Sequence, residues 1–233
     1  MKKPLLKSSR FITYGVSKML MAKPPLLSVP GRQLILASES RARRQMFDSA
    51  CIAYEAISPR VDEEALRLAA QHEGLSPADT ATMLAEAKAL KISAKHPDAV
   101  IIASDQLLVC DGIVYGKPET RNEAQERLEM LSDKTHELVT AGIMIANGGQ
   151  RLWHLVKAPR ITFRKLDASR INAYLEAMAD DAYHTPGVYM IEGLGAHLIK
   201  QMEGCYYTIM GFPMLECLGH LQHMGLDFQQ ASL

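Results

Sequence analysis

The stretch Leu34-Ile35-Leu36-Ala37-Ser38-Glu39-Ser40-Arg41-Ala42-Arg43-Arg44 reads as a strand running straight into a helix, and that junction sets the fold class. An apolar run stops at small hydroxyl residues, and a helical pattern crowded with arginines begins at once. Backbone N–H groups at a helix start attract anions, and the macrodipole adds to that pull. Arginines in the same turn can fork onto phosphate oxygens. The junction becomes a specific signal when two later segments join it: Ser104-Asp105-Gln106 at the end of an apolar strand, and Gly116-Lys117-Pro118 shortly after.

Outward from the junction, strands and helices alternate. Leu34 to Ala37 is the first strand, Arg41 to Ala50 the helix behind it, and Ile52 to Ile57 a second strand. Pro77, with its fixed φ, suits the first turn of a long helix reaching about Lys95. Ala99 to Ala103 is a continuous apolar run of the kind buried on both faces. Leu107 to Cys110 and Ile113 to Tyr115 flank Asp111-Gly112, a strong hairpin signal. Thr120 and Glu123 form a capping box for a helix to about Leu131. His136 to Ala146 turns at Asn147-Gly148-Gly149 into one partner strand covering Arg151 to Phe163. An amphipathic helix spans Ala168 to Ala179. A glycine-punctuated segment follows from Pro186 to Gly211, then a last helix from Pro213. Strands interleaved with helices, plus two hairpins, predict an α/β fold with a mixed sheet.

The bulk numbers bound the function. The chain has 233 residues, 48% hydrophobic and 22% charged, the composition of an ordinary globular protein. Its 26 basic and 26 acidic residues cancel, which argues against a nucleic-acid binder with a broad basic face. The scattered Cys51, Cys110, Cys205 and Cys217 form no C-x-x-C pair, so neither a zinc knot nor a redox motif is expected. The histidines show no ligand spacing either. Ahead of Glu39 there is no acidic residue, while Lys2, Lys3, Lys7, Arg10, Lys18, Lys23 and Arg32 all precede it. That basic stretch resembles a transit peptide, and Met19 and Met21 equally allow a later start. The expectation is a disordered leader over 1–32, with one domain over 33–233. No window is apolar enough to span a bilayer.

Seven segments in order resemble the Maf family, nucleotide pyrophosphatases once described as septum-formation inhibitors. They are Ala37 to Arg44; Val61-Asp62-Glu63; Glu86-Ala87-Lys88-Ala89; Ala103-Ser104-Asp105-Gln106; Gly116-Lys117-Pro118; Leu131-Ser132 with His136 to Gly142; and Ile191 to Ala196 with Gly211-Phe212-Pro213. The resemblance implies an elongated mixed sheet flanked by helices, in two lobes around a cleft. It implies hydrolysis of a nucleoside triphosphate between the α and β phosphates, with Mg²⁺ or Mn²⁺, in the cytoplasm and often as a dimer, in clearing unwanted nucleotides.

Carried onto this sequence, the resemblance makes Arg43, Arg44, Lys88 and Lys117 the cations for the triphosphate, with hydroxyls from Ser38 and Ser40. Asp105 becomes the general base, and Glu63, alone or with Asp105, the metal ligand. Such roles suit the chemistry: departing pyrophosphate carries charge that fixed cations stabilise, and a carboxylate beside a metal activates water. On spacing alone Asp105 would cap a turn, Lys88 and Lys117 would be solvated, and Arg44 could pair with a carboxylate inside the fold. Asp62 reads as an N-cap, and His136 as a structural hydrogen-bonding residue. Gln106 and Glu192 are similar to the subfamily acting on 7-methylguanosine triphosphate, with Glu192 expected as a buried carboxylate reading base N–H groups. Ala42, at a place where subfamilies differ, does not match that subfamily and leaves the base open; Arg41 in place of a proline, Thr185 in place of a lysine and Cys205 in place of an aspartate depart from the family. Thr185 and Cys205 keep open a rival, a nucleotide-binding regulator of cell division without turnover.

Overall fold

A computed structural model describes residues 26–228. In chain order its strands and helices are β1 (Leu27–Ser28), β2 (Leu34–Leu36), α1 (Arg41–Ser49), β3 (Glu55–Ala56), α2 (Glu63–His72), α3 (Pro77–Ser93), β4 (Val100–Cys110) and β5 (Ile113–Tyr115). There follow α4 (Arg121–Leu131), β6 (Thr135–Ala146), β7 (Gln150–Lys157), β8 (Arg160–Phe163), α5 (Ala168–Met178), β9 (Ile199–Glu203), α6 (Tyr206–Ile209), α7 (Met214–His223) and β10 (Asp227–Phe228). The main sheet has the order β3-β2-β4-β6-β8-β9, with β5 on β4 and β7 on β6. Strand β2 lies parallel to β3 and β4, and the other pairings in this sheet are antiparallel, so the sheet is mixed as expected.

The length mismatch between β2 and β4 creates the place where chemistry can happen. Strand β2 ends at Leu36 opposite Ile102, whereas β5 joins β4 only at Leu108. Between those points one edge of β4 has no strand beside it. Side-chain alternation then sorts the residues by face. Ile101, Ala103, Leu107 and Val109 pack in one core with Leu84, Ala85 and Ala89 of α3. On the opposite face, Val100 and Ile102 join a core with Phe47 and Phe212, while Leu108 and Cys110 join another with Leu128, Phe163 and Leu175. Ser104 and Gln106 fall between these two cores. The lobes anticipated from the resemblance are thus two separate cores bridged by the long strands β4 and β6.

Local signals explain the ordered elements. Asp111 and Gly112 both have positive φ (52° and 78°), the geometry of a tight hairpin turn. Thr120 Oγ1 accepts from the Glu123 N–H at 3.2 Å, and Glu123 reaches back to the Glu119 N–H at 2.9 Å, one residue beyond an ideal capping box. Four expectations change. Ala99–Ala103 and Leu107–Cys110 are parts of the single strand β4. The partner anticipated over Arg151 to Phe163 breaks at Ala158-Pro159 into β7 and β8, because proline brings no N–H to a ladder. The strand anticipated at Ile52 to Ile57 shrinks to β3 and an isolated bridge between Ile52 and Leu27. Finally, residues 26–32, inside the expected leader, include β1, paired with β10, and the buried Val29. The rest of the expected leader, residues 1–25, lies outside the described residues.

Candidate active site

The site begins at the bare edge of β4. Ser40 is the N-cap of α1, its Oγ accepting the Arg43 N–H at 3.4 Å, and Ser38 Oγ accepts the Ser40 N–H at 3.1 Å. This pair of turns throws the arginine side chain across the gap left where β2 stops. Arg43 Nη1 donates to the Ser104 carbonyl at 2.8 Å, and Nε donates to the Gly211 carbonyl at 2.7 Å. The first bond supplies the edge with the donor that a longer β2 would have given. Ser104 Oγ also donates to the Gly211 carbonyl, at 2.9 Å. Gly211 has φ +103°, a backbone conformation that glycine adopts freely, so glycine permits the turn that presents this carbonyl. Burial lowers the Arg43 pKa, against the opposing pull of Asp105 and Glu63.

On the other face of β4 sits an ion cluster. Lys88, on the core-facing side of α3, is 5% exposed, and Asp105 is equally buried. Lys88 Nζ lies 2.5 Å from Asp105 Oδ1 and 3.0 Å from Glu63 Oε1. Glu63 opens α2, whose N-cap is Asp62, its carboxylate accepting from the Ala65 N–H at 3.0 Å. The two carboxylates differ in character. Burial pushes the Asp105 carboxyl up, with Glu63 adding, and the Lys88 and Arg43 charges do not fully offset this. Glu63 is half exposed; burial raises its pKa too, but Lys88, Lys117 and Arg43 together draw it below the usual range. Lys117 is exposed, and its charge still acts on Glu63. Arg43, Lys88, Lys117 and Asp105 therefore all lie within electrostatic reach of Glu63.

The remaining expected residues part company with that cluster. Arg44 is exposed and donates to the Glu39 carbonyl at 3.1 Å, and among the described residues it forms no ion pair with a carboxylate. Gln106 points away from Asp105, as alternation requires. Its Nε2 donates to Thr140 Oγ1 at 2.8 Å and to the Thr208 and Ile209 carbonyls at 3.0 and 3.3 Å, pinning α6 to the sheet. Glu192 is exposed rather than buried, on a turn beside Tyr206. Thr185 staples its own turn: Oγ1 donates to the Tyr189 carbonyl at 3.0 Å and accepts the Tyr189 N–H at 3.1 Å. Cys205 occupies the N-cap of α6 without any side-chain bond.

One organising residue was not foreseen. Arg127 of α4 donates through Nη1 to the Gly116 carbonyl at 2.9 Å and also to the Pro186 carbonyl, with its guanidinium 4.4 Å from the Tyr115 ring centroid. It ties the Lys117 loop to the Thr185 turn. Its position beside the buried stripe Ala124, Leu128 and Leu131 was the one signal that could have found it.

Could the cluster take a divalent ion? Among the described residues no group of three or more His, Cys, Asp or Glu side chains is arranged to hold one. Mg²⁺, however, is commonly held by one or two carboxylates with water and substrate phosphates completing the shell. Asp105 and Glu63, both within 3.0 Å of a single cationic nitrogen, provide such a pair. The donor set fits an ion that arrives with a phosphorylated ligand.

The Maf-like protein family matches residues 33–224. A nucleoside triphosphate pyrophosphatase of Granulibacter bethesdensis is 42% identical over 195 residues, 83% of this chain and 98% of that protein. A 7-methyl-GTP pyrophosphatase of Rhizobium meliloti is 38% identical over 192 residues, 82% of this chain and 96% of its own length. One from Brucella abortus is 37% identical over 190 residues, with shares of 82% and 95%.

Proposed function

Because the chain belongs to the Maf family, we propose that it is a nucleoside triphosphate pyrophosphatase, hydrolysing its substrate to a monophosphate and pyrophosphate. The observation that carries this reading is the convergence of Arg43, Lys88 and Lys117 with a buried, proton-seeking carboxylate, Asp105. A triphosphate is a dense anion, and catalysis on it is chiefly positioning and charge neutralisation. Ser38 and Ser40 at the α1 start, with Arg43 and Lys117, bind and orient the phosphates, and Lys88 adds its charge. Arg44, at the exposed outer side of the same turn, meets the ligand last. The Asp105 carboxylate takes the proton from water as the water oxygen attacks the α phosphorus. The bond from that phosphorus to the α–β bridging oxygen breaks, and pyrophosphate leaves with the bonding electrons. A raised carboxyl pKa favours Asp105 as this base, because it brings the proton affinity closer to working pH. Glu63 and Asp105 would hold Mg²⁺ or Mn²⁺, which when bound supplies further charge neutralisation and water activation.

The base is a finer matter. Relatives named 7-methyl-GTP pyrophosphatase support a guanine ring carrying a methyl group as the first candidate. Exposed Glu192 beside Tyr206 offers a negative charge and an aromatic ring, a pairing that suits a cationic base. The same reading includes a cytoplasmic homodimer with no nucleic-acid or membrane partner; sedimentation at micromolar concentration tests the mass. No helix among the described residues is long and apolar enough to cross a membrane.

The rival regulator without turnover is disfavoured by the relatives named as pyrophosphatases, and of the two departures that sustained it Thr185 has a structural use, stapling a turn. The deciding experiment is pyrophosphate release from canonical and 7-methylated triphosphates with Mg²⁺. Asp105→Asn is expected to lower kcat by about 10²–10⁴-fold, the usual weight of a general base. Absence of turnover on every nucleotide by the unmodified chain rejects the proposal.

A further inference from the structure

Lys88 is held by two carboxylates rather than left free for a phosphate. Its ammonium is buried, 2.5 Å from Asp105 and 3.0 Å from Glu63, and so lies directly between the two carboxylates best suited to a divalent ion. A buried carboxylate and a half-exposed one, drawn to the same nitrogen, would repel each other without a cation between them. Lys88 removes that repulsion from within the chain. Oxygen ligands approach Mg²⁺ at about 2.1 Å, so an ion bridging Asp105 and Glu63 would fall in the space that Nζ occupies. Two cations cannot share it.

We propose that Lys88 is a resident counter-ion that competes with the divalent ion for Asp105 and Glu63, and is displaced toward the phosphates when metal and nucleotide enter together. The inference rests on the pyrophosphatase reading for the identity of the ligand, but the competition itself is a property of these three side chains. Lysine is well matched to such an exchange, since its charge is compact and carried on a flexible stem that can change partners without moving α3. The triphosphate offers the displaced ammonium a new anionic partner. Metal binding is therefore weak without nucleotide and strengthened by it, and by linkage nucleotide binding is strengthened equally by metal. A site held this way keeps its carboxylates folded inward in the absence of metal, and it discriminates against ions that arrive without a phosphate to receive the lysine.

The test is metal affinity, read independently of turnover. Mn²⁺ binding to the full chain without nucleotide is followed by electron paramagnetic resonance for the unmodified protein, Lys88→Met, Lys88→Arg, and the double variant Glu63→Gln/Asp105→Asn. The expected result is that Lys88→Met binds Mn²⁺ about tenfold tighter or more, from loss of a competing charge at contact distance. Lys88→Arg should stay near the parent, and the double variant should lose the site. Equal or weaker binding by Lys88→Met overturns the inference, as does Mn²⁺ binding that survives in the double variant. Should Lys88→Met fail to fold, the unmodified chain decides. Acylation of Lys88 by acetic anhydride, read by mass spectrometry, is expected to rise when Mn²⁺ saturates the protein, and unchanged labelling refutes displacement. Tighter binding by Lys88→Met together with absent turnover in the parent would reject the proposed function and leave this inference standing. Active parent enzyme with unchanged Lys88→Met affinity would do the reverse.

Discussion

Asp105 is held in a balance that a surface carboxylate never meets. The apolar packing of α3 against β4 strips its water and raises its pKa, Lys88 and Arg43 pull the other way, and Glu63 adds to the rise. In the metal-free chain the Asp105 carboxyl is therefore expected to take up its proton above the 3.8 of an ordinary aspartate. Carboxyl NMR across a pH series without divalent ion measures it; a midpoint at or below the ordinary value would mean that the Lys88 and Arg43 charges outweigh burial. Arg43 supplies a second expectation at this scale. Its Nε and Nη1 bond two different carbonyls, Gly211 and Ser104, a fork that lysine cannot reproduce. Arg43→Lys should raise KM and lower kcat together, by roughly 10-fold or more in kcat/KM, because both the edge of β4 and the phosphate contact are loosened. Steady-state kinetics on the best substrate from the panel checks this.

Among the elements, α6 shows how a short helix can matter while being poorly secured. Gln106 grips its carboxyl end, yet Cys205 leaves its amino end without a side-chain cap, and Thr208 Oγ1 is buried without a partner. An aspartate at position 205 could accept from the free N–H groups of the first turn. Cys205→Asp is expected to stabilise the chain by about 1 kcal/mol, the usual gain from a cap; urea unfolding measures it, and a decrease would show that packing of the thiol outweighs capping. The same segment explains what the sequence could and could not reveal. The Asp111-Gly112 hairpin, α3 and the Ser40 junction were legible because their determinants are local: positive φ, a proline at the first turn, a hydroxyl N-cap. Strand β9 and α6 were not, since Ile199 to Glu203 is mostly exposed and α6 lacks a cap, so neither carries an apolar period. At the site, the residues could be singled out through their motifs, but their pairing could not. Nothing local says that Lys88 lies between Glu63 and Asp105, or that Gln106 turns its back on its neighbour. Only the β4 alternation, readable in principle, hinted at the second.

At the scale of the whole molecule, stability depends on the cores that β4 and β6 bridge, and one of them packs against a histidine. His136, 1% exposed on β6, bonds the Tyr189 hydroxyl through Nε2 at 2.8 Å and packs edge-on against Phe163 and Tyr189. Burial lowers its pKa from 6.5 to about 4, so it stays neutral in the folded chain where the unfolded chain already takes up a proton. The sign follows from proton uptake: with the folded value depressed, stability is complete above pH 6.5 and declines as pH falls toward 4. A depression of this size corresponds to roughly 3 kcal/mol once pH drops below the folded value, and to about 2 kcal/mol between neutrality and pH 5. Carboxylates such as Glu63 add a separate loss at lower pH, because its folded pKa is also depressed. The contribution of His136 is isolated by His136→Phe, which keeps the aromatic packing and cannot titrate. That variant should be less stable at pH 7.5, where it strands the Tyr189 hydroxyl, yet lose less on going to pH 5 than the parent does. Urea unfolding at the two pH values gives the comparison, and an equal loss in parent and variant would place the acid sensitivity of this core elsewhere.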